Sequence, residues 1–128
     1  MSERPVLLLE TQIFPSFMFF GLAFNHTIVL EAMENYQKRS CRNRYFIKGR
    51  NNESICLSIP LQKGKNQNQP IQEVRISHDR EWTKQHQKTL QSIYGKSPFF
   101  KYYIDELSEL YSSDENYLFD LNLNIIHW

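Results

Sequence analysis

The residues from Glu34 to Gly49 read ENYQKRSCRNRYFIKG and set Lys38, Arg39, Arg42, Arg44 and Lys48 among Tyr36, Tyr45 and Phe46. Arginine at the centre suits phosphate or carboxylate, because its planar fork makes paired hydrogen bonds where lysine offers a point charge. Asn43, between two arginines, both donates and accepts, and the rings offer faces to a base or sugar. Residues two apart in an extended segment share a face. Arg42 and Arg44 are therefore expected to converge on one anion beside Thr11 and Gln12, with Arg39 and Lys48 left in solvent. The alternative is a solvated charged face.

His86 is the candidate acid or base, since its ordinary pKa of ~6.5 lies near working pH. A carboxylate beside it would complete the pair, and Glu34 or Glu31 would supply it if the helix carrying His86 packs over the end of the second strand. The alternatives are a buried histidine with its hydrogen bonds satisfied and a Glu34 that orients Arg42 or Arg44. Cys41 sits among cations that favour the thiolate. No metal is expected, because His26, His78, His86 and His127 are scattered and unpaired. Gly21, Gly49, Gly64 and Gly95 stand alone, so no phosphate-cradling loop is expected. Nothing in the sequence calls for a cofactor.

The elements that position these residues begin with VLLL, Val6 to Leu9, which reads as a strand buried on both faces and ends in the turn Glu10-Thr11-Gln12. Pro15 suits the first turn of a helix, and FMFFGLAF is apolar nearly all round, so that helix should be deeply packed. TIVLEAM from Thr27 is a second strand, and the three elements make a right-handed parallel βαβ unit. Ligands bind beyond the carboxyl ends of parallel strands. That edge would hold Thr11, Gln12, Glu34 and the basic segment.

RYFIK and ICLSIP read as two strands joined by a loop, GKNQNQP as a polar loop, and IQEVRIS as a half-buried strand. A helical half follows. Trp82, His86, Leu90 and Ile93 share one helix face that stops at Gly95. Ser97-Pro98 opens the next helix, with Phe100, Tyr103, Leu107, Leu110 and Tyr111 as its buried stripe. Leu118, Leu121, Ile125 and Trp128 mark a last helix without a cap, whose apolar end is expected to dock on another surface, a second copy included. The expected fold is α/β, an N-terminal βαβ unit with a small mixed or parallel sheet followed by a helical half.

A chain of 128 residues fits one domain, and at 41% hydrophobic it can build a core. The formal charge of +1 makes the basic segment a local concentration, so a nucleic-acid partner is not expected. Two cysteines form no disulfide framework and point to reduced thiols in the cytoplasm. No stretch approaches the ~20 apolar residues of a membrane span.

ETQIFP, ENYQKRSCRNRYFIKG with the later LSIP, and EWTKQHQKTLQSIYGKSPFFKYY together resemble the WbqC-like proteins of the type common in Bacteroidetes. The resemblance runs from about Leu7 to Asn122, and NYxKxSxRNRxxI is its most specific part. It implies bacterial surface-polysaccharide synthesis of the O-antigen type, acting on a nucleotide-activated amino sugar, with transfer of an acyl or aminoacyl group. The marked positions would be Thr11, Phe14, Pro15, Asn35, Tyr36, Lys38, Ser40, Arg42, Asn43, Arg44, Pro60, Trp82, His86, Tyr94, Ser97 and Pro98. Many relatives carry Gln-Pro near Thr11 and continue beyond Trp128, which implies a single domain over 1–128 with the C-terminal part of the family missing. With the residues above, the expected site is His86 and Glu34 for catalysis. Thr11, Gln12, Tyr36, Lys38, Ser40, Arg42, Asn43, Arg44, Trp82 and Tyr94 would bind an anionic small molecule. A non-catalytic module for anions or single-stranded nucleic acid, and an inactive remnant, are the alternatives.

Overall fold

The computed structural model describes residues 4–14, 17–49, 51–96, 100–112 and 115–127. The order is β1 (Val6–Glu10), α1 (Phe17–Asn25), β2 (Thr27–Glu31), β3 (Arg44–Lys48), β4 (Ser54–Ser58), a short 3-10 turn (Ile71–Glu73), α2 (Trp82–Tyr94), α3 (Phe100–Ser112) and α4 (Leu118–His127). Pro15, Ser97, Pro98 and Trp128 lie outside the described residues. No helix among those residues is long and apolar enough to cross a membrane.

The expected parallel unit is present, with Leu7 beside Ile28, Leu9 beside Leu30 and Glu10 beside Glu31. Arg4 ties off its helix by donating to the carbonyls of Ala23 and Phe24, which at the end of a helix lack intrahelical partners, and to that of His26 just beyond it. The unit is not buried on both faces, however. Val6, Leu8 and Val29 are exposed, as are Phe20 and Phe24 on α1. Two strands make a sheet too narrow to cover an all-apolar helix, and α1 covers one face of the sheet at most, so both expectations of deep burial are corrected.

The second sheet is the antiparallel hairpin β3–β4, in which Arg44 faces Ser58 and Phe46 faces Cys56. IQEVRIS is not a strand. Ile71 opens the 3-10 turn, and the chain then makes single bridges, Arg75 to Tyr117 and Ile76 to Leu61. Its apolar residues fall at spacings of three and then two, which a tight turn followed by extended backbone turns inward. Ile71, Val74 and Ile76 are accordingly buried.

The core gathers around that hairpin and turn. Tyr45, Ile59, Leu61, Ile71, Val74 and Ile76 meet Trp82 and Leu90 of α2, Tyr111 of α3, and Leu118, Leu121 and Ile125 of α4. Leu121 and Ile125 of α4 are buried inside their own chain, so the docking expected for them on another surface is corrected. Ile13 links β1 to this core, donating its N–H to Cys41 O at 3.0 Å. The next residue, Phe14, sits at φ 46°, in the left-handed region that disfavours L side chains by roughly 1–2 kcal/mol. Its ring gains an edge contact with Tyr45 at 4.8 Å.

Candidate anion-binding groove

Three sites separate residues that the sequence places together. The first is the carboxyl end of the parallel sheet. Arg42, in the turn before β3, donates Nε and Nη2 to the two carboxylate oxygens of Glu34, each at 2.7 Å. The pair raises the Arg42 pKa, mainly through the hydrogen bonds to Glu34, with Glu10 adding attraction. Gln12 donates to Glu10 at 3.1 Å. Thr11 is fully buried, and the Asn122 amide lies 3.5 Å from its hydroxyl while donating to Arg42 O at 2.9 Å. The Arg42 backbone carbonyl meets Thr11 through Asn122, while its side-chain fork is filled by the Glu34 carboxylate.

The second is an aromatic cluster in the core around His86. Its Nε2 lies 3.0 Å from Ser58 O, and its Nδ1 lies 2.7 Å from the Tyr45 hydroxyl, which lies 2.9 Å from the Tyr111 hydroxyl. A carbonyl only accepts, so Nε2 carries the proton. Nδ1 of the neutral ring then accepts from Tyr45, and Tyr111 donates to the Tyr45 oxygen. Burial favours the neutral ring and lowers the His86 pKa, against the opposing pull of the Ser58 carbonyl. Burial likewise raises the pKa of Tyr45, and raises that of Tyr111 to about 12. Trp82 packs edge-on to His86 at 5.2 Å. The hydrogen-bonding partners of His86 are Tyr45 and Ser58, and Glu34 is bound to Arg42, so the structure does not bring the expected acid–base pair together.

The third is an open groove of about 640 Å³ at the open end of the hairpin, where β3 begins and β4 ends. Arg39, Arg44 and Lys65 line it together with Asn43, Cys56, Ser58 and the carbon surface of Ile59, Pro60 and Leu61. Among the described residues, no carboxylate lines it. Arg44 points across β4, donating Nε to Cys56 Sγ at 3.2 Å with its guanidinium 5.6 Å from the Phe46 ring centre. The floor is set by Tyr36, which donates to Asn43 Oδ1 at 3.0 Å, while Asn43 donates to Ile59 O at 3.0 Å. Burial raises the Tyr36 pKa, so the hydroxyl keeps its proton and that bond. Gly64, at φ 71°, turns the chain so that Lys65 faces the groove.

Arg42 and Arg44 therefore do not converge. Arg42 lies in a turn and not in the extended segment that would have put both on one face. Arg39 is exposed, as expected, and with its backbone at φ 56° it lines the same open groove as Arg44. Lys38 lines an adjoining compartment. Ser40 donates to Gln37 O at 2.6 Å and holds that turn. Tyr94 donates to Lys48 O at 3.1 Å and pins α2 to β3. Trp82, His86, Glu34, Thr11, Gln12 and Tyr94 are not among the groove's lining residues. Lys65, Cys56 and Ser58 were missed by sequence reasoning. A lysine between Gly64 and the amide run of GKNQNQ was the one available signal for Lys65.

The sequence model of the WbqC-like protein family matches residues 11–128 of the chain. Neither the curated proteins nor the solved structures returned a match.

Proposed function

The chain belongs to the WbqC-like protein family, and from that premise and the charge of the groove we propose that it takes part in bacterial surface-polysaccharide synthesis by holding a nucleotide-activated amino sugar. The transformation is transfer of an acyl or aminoacyl group to the bound sugar. The observation that carries the proposal is the grouping of Arg39, Arg44 and Lys65 around one concavity with no carboxylate among its described lining residues. Cations left without a carboxylate partner attract a diphosphate, and Arg44 supplies the forked donor set that phosphate favours. Apolar carbon from Ile59, Pro60 and Leu61 gives the groove a surface for a nucleoside. His86 acts as a positioning residue in this account. Its bond to the Ser58 carbonyl fixes the end of β4 where the groove is built.

A thermal-shift screen of the whole chain against sugar nucleotides, free nucleotides and oligonucleotides tests the proposal. Stabilisation by diphosphate-bearing nucleotides is the expected result. Stabilisation by oligonucleotides alone would replace it with a nucleic-acid module.

A further inference from the structure

The groove continues past Tyr36 and Lys65, which line both it and a second compartment of about 390 Å³. The two halves differ in chemistry. The first carries Arg39 and Arg44. The second is walled by Gln37, Asn66, Gln67 and Asn68, with Lys38 as its one further cation among the described residues. The carboxamides of Gln37, Asn66 and Asn68 have no hydrogen-bond partner among the described residues. Gln67 donates to Gly64 O at 2.7 Å and accepts from the Gln69 amide at 3.2 Å, so it ties the loop to itself and leaves the ligand contacts to the other three.

A carboxamide both donates and accepts, which matches a hydroxyl or an N-acyl group, each of which can meet it in either sense. Arginine donates only and matches an oxyanion. We infer that the two compartments divide one ligand, with the diphosphate bridging Lys65 from the Arg39 and Arg44 side and the neutral, hydroxyl-bearing sugar lying among Gln37, Asn66 and Asn68. The inference rests on the groove being an anion site and adds the orientation of the ligand within it. It also assigns the GKNQNQ loop a function, the choice of sugar, separate from the phosphate contacts of the basic segment.

Calorimetric titration of the whole chain with UDP and with UDP-N-acetylglucosamine tests the assignment. The sugar nucleotide is expected to bind about tenfold more tightly than UDP, the increment of one to two net hydrogen bonds. In Asn66→Leu/Asn68→Leu that ratio is expected to fall to about one. Gln37→Leu, on a separate segment of the same wall, is expected to lower it as well, and all three positions are exposed, so folding is not at stake. Equal binding of the two ligands by the parent chain, or a ratio unchanged in both variants, would overturn the orientation while leaving the anion site standing. Binding of neither ligand would overturn both.

Discussion

The Arg42 guanidinium grips the Glu34 carboxylate through two bonds of 2.7 Å, and the side chains are only 14% and 18% exposed. The pair staples the turn before β3 to the segment that leaves β2, and it withdraws from ligand binding the arginine at the centre of the basic segment. Arg44, two residues on, has no carboxylate partner among the described residues.

This division predicts opposite phenotypes for two like substitutions. Arg42→Lys loses the fork that Glu34 requires and should lower unfolding free energy by about 1–2 kcal/mol, the scale of a charged hydrogen bond. Arg44→Lys should leave unfolding within about 0.5 kcal/mol, the usual range for a surface substitution. Urea denaturation of both variants is the check, and an equal loss in the two would refute the division.

The tyrosine–histidine chain makes a second prediction. Tyr45→Phe strips His86 Nδ1 of its donor and Tyr111 of its acceptor in a site closed to water. Leaving buried polar groups unmade costs about 1–3 kcal/mol. A fall of that size in chemical denaturation is expected, and a neutral Tyr45→Phe would mean that the chain of bonds contributes nothing net.

His86 should also make stability depend on pH. Its folded pKa lies below the ordinary histidine value because burial penalises the imidazolium. Above ~6.5 the ring is neutral in both states and its contribution is whole. As pH falls below that value the unfolded chain binds a proton that the folded chain refuses, so stability declines, by at most about 1.4 kcal/mol per pH unit for one group. The decline ends once pH passes the folded pKa. Comparing denaturation midpoints of parent and His86→Asn across pH 7.5 to 5 isolates the effect: the parent should lose stability over this window faster than the variant. Parallel curves would show that His86 is not held neutral.

Much of this fold was legible because the pattern and the packing agree. Trp82, His86 and Leu90 at helical spacing are buried on one face of α2, and VLLL and TIVLE pair as parallel strands. What failed depended on breadth or on the conformation of a single residue. FMFFGLAF shows that a segment wants burial but not that the sheet beneath it has only two strands. Spacing puts Arg42 and Arg44 on one face only if the backbone between them is extended, whereas residues 41–43 form a turn, so the two do not meet. The place of Lys65 in the groove was not legible from spacing, since it joins Arg44 through folding of the loop on the far side of Pro60.

In the proposed function Arg39, Arg44 and Lys65 form one site for the phosphates of a nucleotide. Isothermal titration of UDP into the parent chain and into Arg39→Ala, Arg44→Ala and Lys65→Ala tests it most directly. Each substitution should weaken binding about tenfold, with Arg44→Ala the largest loss, on the scale of charge-assisted hydrogen bonds of about 1.5–3 kcal/mol. Arg42→Ala, compared under conditions where it is folded, should weaken it less than any of the three. Undiminished binding in all three variants, or loss only in Arg42→Ala, would contradict the account.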